Sequence, residues 1–247
     1  LSKFIGLTQV FIYTCYNQII TMLTHIIQRL NSALLPSIGN LLVADKDKSK
    51  KIYYELNSLL FFIGNILFVP LFYMLNPFIK LFYGSEYTVS SIICLLFVVV
   101  FYINILKISL ESYIKASGEF KSIRNCSIYQ SIINLILSVI LVNKYGIGGV
   151  LFSTVFSFVT GTFMNYPRII AKKITNDKTI NYYKKFIKYT IGLIINIAIC
   201  YLLNKVLVNK NLLYWFINGI IIFGVNFLLT IIYYYITKEM LFLERVS

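Results

Sequence analysis

The chain has 247 residues, of which 58% are hydrophobic and 13% charged, against roughly 25% charged in an ordinary soluble domain. A water-soluble fold of this length has too little interior to hide that much apolar surface, which excludes the soluble enzyme classes. The net charge of +14 would point to nucleic acid in a soluble protein. In a membrane protein, basic residues gathered between apolar segments set orientation instead, and no nucleic-acid partner is expected.

Charges are absent from seven windows of 16 to 27 residues. About 20 helical residues cross a hydrocarbon core of about 30 Å, so the windows with their flanks predict an all-α, polytopic membrane bundle of about seven transmembrane helices. In chain order the expected spans are residues 10–35, 53–75, 89–113, 126–142, 147–166, 186–208 and 212–236, in a single membrane domain covering 1–247. The first is read as a long helix that bends near Pro36. The sixth has the shortest window, Tyr189 to Asn204, and is extended through Phe186 and Ile187 because Lys188 can snorkel to the headgroups. Continuous apolar runs of this length are not the alternating strands of a barrel.

The connections differ in charge. Lys46, Lys48, Lys50 and Lys51, then Lys115, Lys121 and Arg124, then the seven basic residues from Arg168 to Lys188, and finally Lys238 and Arg245, put sixteen basic residues on one side. Lys3, Lys80, Lys144, Lys205 and Lys210 put five on the other. The richer side is expected in the cytoplasm, with the amino end outside and the carboxy end inside a plasma membrane. The chain starts at Leu1 without an export signal, and is therefore expected to be a carboxy-terminal fragment of a longer membrane protein.

Signatures of an enzyme are missing. There is no GxxxxGK[ST] loop for ATP, and Gly146-Ile147-Gly148-Gly149 joins two membrane segments without a preceding strand, so it reads as a tight turn. His25 is the only histidine, which leaves no multi-histidine metal site. Cys15, Cys94, Cys126 and Cys200 have no CxxC spacing and read as packing residues. No cofactor is expected.

Ionisable groups inside spans carry the functional information, since each costs about 2.5–3.5 kcal/mol at the bilayer centre on insertion scales. Arg29 follows His25 by one turn on the same helical face, with Asn17 and Gln18 two to three turns earlier. This stripe either lines a cavity or leaves Arg29 to snorkel. Lys107 and Glu111 are spaced i, i+4 and can neutralise each other as a structural pair, or act as a gate or coupling element. Glu55 is read against the dipole of the second span's first turn. Tyr182, Tyr183, Phe186 and Tyr189 read as an interfacial aromatic group.

Several short segments in order resemble the middle of polysaccharide flippases. They are Phe4-Ile5-Gly6-Leu7, Tyr16-Asn17, Leu35-Pro36-Ser37-Ile38-Gly39-Asn40-Leu41, Phe82-Tyr83-Gly84-Ser85-Glu86-Tyr87, Lys115-Ala116-Ser117-Gly118-Glu119-Phe120, Asn134 to Ser138, Gly146 to Val150, and Thr154. The family is the O-antigen, capsule and exopolysaccharide branch of the multidrug/oligosaccharidyl-lipid/polysaccharide exporter superfamily. The resemblance runs from about Leu1 to Lys188; the last two spans match only in hydropathy. It implies a two-lobed transporter of twelve to fourteen helices working by alternating access, of which this chain is the second lobe and the amino-terminal lobe is missing. The implied substrate is a polyprenyl-diphosphate-linked oligosaccharide, with membrane lipids and polysaccharide polymerase machinery as further partners. Carried over by position, Arg29 and then Lys107 would contact the diphosphate, and His25, Asn17 and Gln18 would hydrogen-bond sugar or phosphate. Glu111 is the candidate coupling or gating residue. Competing readings are a drug/cation antiporter of the same superfamily, a membrane glycan polymerase or acyltransferase, and a non-catalytic membrane scaffold.

Overall fold

A computed structural model describes residues 2–33, 35–44, 46–207 and 211–241. Leu1, Leu34, Lys210, Arg245 and the expected end of the sixth span at Val208 lie outside the described residues. Every regular element among the described residues is helical. They are α1 (Ser2–Ser32), α2 (Leu35–Ala44), α3 (Lys46–Tyr83), α4 (Ser91–Ala116), α5 (Phe120–Phe158), α6 (Met164–Ile169), α7 (Thr179–Asn204) and α8 (Leu212–Ile236). Six helical stretches are long and apolar enough to cross a membrane. The protein is a helical membrane bundle.

The first expected span is corrected at its end. The chain leaves the helix after Ser32 and starts α2 at Leu35, so Pro36 stands in a first turn, where its missing N–H breaks no ladder bond. The break therefore precedes Pro36 and is no bend at it. Glu55 is also corrected. α3 begins at Lys46, which puts Glu55 in its third turn, buried, beyond the reach of the N-terminal dipole.

The fourth and fifth expected spans form one helical stretch, residues 120–174, which would be about 80 Å long if straight. It is not straight. Gly146 adopts φ 54°, ψ −132°, a left-handed conformation that suits glycine, and the chain folds back on itself there. Gly149 lies on Leu141, and Gly161 lies on Gln130. Asn134 Nδ2 donates to Thr154 Oγ1 at 3.2 Å, and Thr162 Oγ1 donates to Gln130 Oε1 at 2.5 Å. The expected tight turn is present. Two π-helical turns, Val159–Phe163 and Ile170–Ile174, flank the α6 segment that contains Pro167.

α3 is the spine, packed along α4, α7 and α8, while α4 also packs on α1 and α5. The core between them is aromatic: Phe61 meets Tyr189 at 4.5 Å, and Tyr16 stacks on Phe97 at 5.1 Å. Tyr182 and Tyr189 are buried, so these two members of the expected interfacial group point into the protein. Their rings fill space between α3 and α7 where packing contacts hold membrane helices together. The four cysteines are free thiols, three of them buried.

Two carboxylates tie in the last helices: Glu239 joins the end of α8 to α7, and Asp177 joins the start of α7 to the spine. Glu239, just beyond α8, sits 2.9 Å from both Lys185 Nζ and Lys188 Nζ and accepts from Tyr189 OH at 2.7 Å. Asp177, before α7, accepts from Tyr54 OH at 2.6 Å and pairs with Lys50 at 3.2 Å. Burial pushes both carboxyls up. Hydrogen bonds from Lys188, Lys185 and Tyr189 outweigh this for Glu239, as those from Tyr54, the Lys178 N–H and Lys50 do for Asp177, and both stay below their ordinary values. Several lysines that the sequence assigns to orientation thus also hold the bundle together.

Candidate functional site

α1 sorts its residues by face. At 100° per residue, the buried side carries Ile12, Tyr16, Ile20 and Ile27. From Thr14 to Ser32 a polar sector of about 160° carries Asn31, Thr24, Asn17, Gln28, Thr21, Thr14, Ser32, His25, Gln18 and Arg29. The sector divides between two grooves.

The first groove, about 570 Å³, is lined by Thr14, Asn17, Gln18, Thr21, Met22, His25, Ile26 and Arg29, all from α1. It is an open face with no second helix across it. Gln18, His25 and Arg29 are exposed and Asn17 is half-buried. The hydroxyl of Thr14 bonds to its own helix, at Val10 O. The side chains of Asn17, Gln18, His25 and Arg29 make no hydrogen bond or ion pair with another described residue. Arg29 lies three residues from the end of α1, about 4.5 Å along the axis, so its long side chain can extend past the helix end. His25 lies a turn deeper and Gln18 three turns deeper. Those two make acyl chains an unsuitable neighbour for the whole stripe.

The second groove, about 220 Å³, lies between α1 and α4. From α1 come Thr24, Gln28, Asn31 and Ser32, and from α4 come Asn104, Lys107, Ile108, Glu111, Ser112 and Lys115. The helices are tied at its floor, where buried Asn31 donates from Nδ2 to Ser112 Oγ at 2.5 Å and Ser112 donates to Ile108 O at 2.8 Å. Lys107 and Glu111 do meet, at 3.3 Å, but Glu111 is shared: its other oxygen is 2.9 Å from Lys115 Nζ. Comparison with protein-family models, with curated proteins and with solved structures found no match for this chain.

The expected residues are therefore grouped as follows. Asn17, Gln18, His25 and Arg29 share one groove; Lys107 and Glu111 share the next, around the same helix. Lys115, Asn31 and Asn104 were missed. The signal for Lys115 and Asn104 was in the sequence, since positions 104, 107, 111 and 115 follow one stripe of α4. Lys115 was assigned to a cytoplasmic loop because α4 runs three residues further than the expected span. Asn31 carried no signal, because its partner Ser112 lies 81 residues away.

Together the two grooves present Arg29, Lys107 and Lys115 against the single carboxylate Glu111. Chemically this is a net-positive surface rich in amides and hydroxyls. It suits an anion that also carries hydrogen-bonding groups. Among the described residues no group of three or more His, Cys, Asp or Glu side chains stands close enough to hold a metal ion.

Proposed function

We propose that this chain is the second lobe of a polysaccharide flippase, which moves polyprenyl-diphosphate-linked oligosaccharide units across the plasma membrane by alternating access. In this reading the hairpin at Gly146 makes two crossings, giving seven in all, with the amino end outside and the carboxy end in the cytoplasm. A partner lobe stands opposite α1, and polymerase machinery receives the exported unit.

The observation that carries the proposal is the open polar face of α1. A membrane helix that exposes Gln18 and His25 toward lipid would leave polar groups unsolvated at a cost of kilocalories per mole. A water-filled cavity shared with a second lobe removes that cost. The three-to-one excess of cations over carboxylates in the two grooves favours an anionic head group and disfavours the drug/cation antiporter, whose substrates call for carboxylates. The prenyl tail of such a substrate can stay in lipid while its diphosphate and sugars follow the polar sector.

The test is complementation of a flippase-deficient strain with the complete transporter. The parent protein should restore surface glycan, and Arg29→Ala combined with His25→Ala should abolish most of that restoration at unchanged membrane abundance. A parent that confers drug efflux without restoring glycan would establish the antiporter instead.

A further inference from the structure

The only charged residues of α4, Lys107, Glu111 and Lys115, recur every four residues on the side that faces α1. Each oxygen of Glu111 holds one lysine, Oε1 at 3.3 Å from Lys107 Nζ and Oε2 at 2.9 Å from Lys115 Nζ. A pair of isolated lysines here would repel each other beside an apolar helix; one shared carboxylate leaves a net charge of +1. The groove holds about 220 Å³, against roughly 30 Å³ for each water, which is room for a small polyanion. One further feature points to a ligand. Asn31 is buried and its Nδ2 is engaged by Ser112, yet its Oδ1 has no hydrogen-bond partner among the described residues. That oxygen has no exposed area of its own, so a donor carried in with an anion reaches it only as the groove opens.

We propose that Glu111 is an exchangeable internal counter-ion, occupying between Lys107 and Lys115 the place that a phosphoryl polyanion takes when it enters the groove. The proposal takes its substrate class from the flippase reading and rests on it. A diphosphate carries more than one negative charge and has oxygens enough for both ammonium groups at once. Its arrival repels the carboxylate, whose side chain is 19% exposed and turns toward water. When the anion leaves, Glu111 returns. The carboxylate thereby tempers the site's affinity, so that an anion held by two lysines is still released. Lys115 becomes a substrate-binding residue, and Glu111 a competitor of the substrate that makes no lasting contact with it.

The test is binding of inorganic pyrophosphate to the purified full-length protein in nanodiscs, by calorimetry. Glu111→Gln keeps the shape and removes the charge, and should bind pyrophosphate about tenfold or more tightly than the parent, a gain of about 1.4 kcal/mol. The gain should vanish in Glu111→Gln/Lys115→Met and in Glu111→Gln/Lys107→Met. Unchanged or weaker binding by Glu111→Gln, or a gain that survives loss of either lysine, overturns the proposal. Glu111→Asp guards against misfolding of the Gln variant: a carboxylate shorter by one methylene holds the two lysines less well, so binding should tighten partway, and binding equal to the parent's counts against exchange. Complementation separates the two readings. Tighter pyrophosphate binding by Glu111→Gln while the parent restores no glycan removes the flippase and keeps the exchange; a parent that restores glycan, with no tightening in the variant, removes the exchange alone.

Discussion

Asn226 of α8 makes the hydrogen bond that Pro70 of α3 cannot. Pro70 has no N–H to give the carbonyl four residues earlier, that of Ile66, and the Asn226 amide donates to that oxygen at 2.8 Å and to Asn65 O at 3.1 Å. Tyr183 serves Pro167 in the same way, its hydroxyl donating to Phe163 O at 3.1 Å. In hydrocarbon a carbonyl released by proline must find a donor within the protein, and at Pro70 and Pro167 that donor is a polar side chain of a neighbouring helix.

Asn226→Leu should therefore destabilise the bundle by about 1 kcal/mol, in the range of hydrogen bonds between membrane helices. Pro70→Ala in the same chain should recover part of the loss, because alanine returns an N–H to Ile66. Thermal unfolding in detergent reads both effects. A full loss that Pro70→Ala leaves unchanged would show that Asn226 acts through other contacts.

Gly161 lies on Gln130, so that a β-carbon on Gly161 would stand 2.8 Å from the Gln130 Cβ. Small residues at such crossings let membrane helices approach closely. Gly161→Leu should force the two arms of the hairpin apart at a cost of about 1–3 kcal/mol, while Gly224→Leu, with open space around it, should change little. Melting temperature and protease resistance of the two variants provide the comparison.

The carboxylates of Glu239 and Asp177 set a pH dependence whose sign follows from their lowered values. A carboxyl held below its unfolded value contributes stability that is complete above that value, about 4.3 for Glu and 3.9 for Asp, and is lost as pH falls through the folded value. The parent should thus lose melting temperature on acidification below about pH 4. Glu239→Gln should be less stable at neutral pH, by about 2 kcal/mol for lost bonds to charged groups, and should show a flatter acid limb. A parallel acid limb in the variant would assign the dependence to other groups.

Water access should distinguish the two sides of the bundle. Gln18→Cys and His25→Cys should react readily with a water-soluble, membrane-impermeant maleimide, whereas Leu228→Cys, exposed on α8, should be slow because acyl chains cover it. The native cysteines give little background, three being buried and Cys126 half-buried. Slow labelling at Gln18 and His25 would mean that protein or lipid covers the α1 face, and the cavity would have to lie elsewhere.

By itself the sequence determined that this is a helical membrane protein and where most crossings fall. The expected last span coincides with α8, Leu212–Ile236, and the glycine turn is at Gly146. These are local matters of hydropathy and of one residue's backbone freedom. It also placed Asn17, Gln18, His25 and Arg29 on one face, since a helix repeats every 3.6 residues wherever it sits. Only the tertiary structure decided that this face is open while the adjoining one closes against α4. Only it showed that Asn31 meets Ser112 between α1 and α4, and that Lys185 and Lys188 serve Glu239 about fifty residues away. A charge count treats every lysine alike; which carboxylate a lysine meets depends on helices brought together from distant parts of the chain.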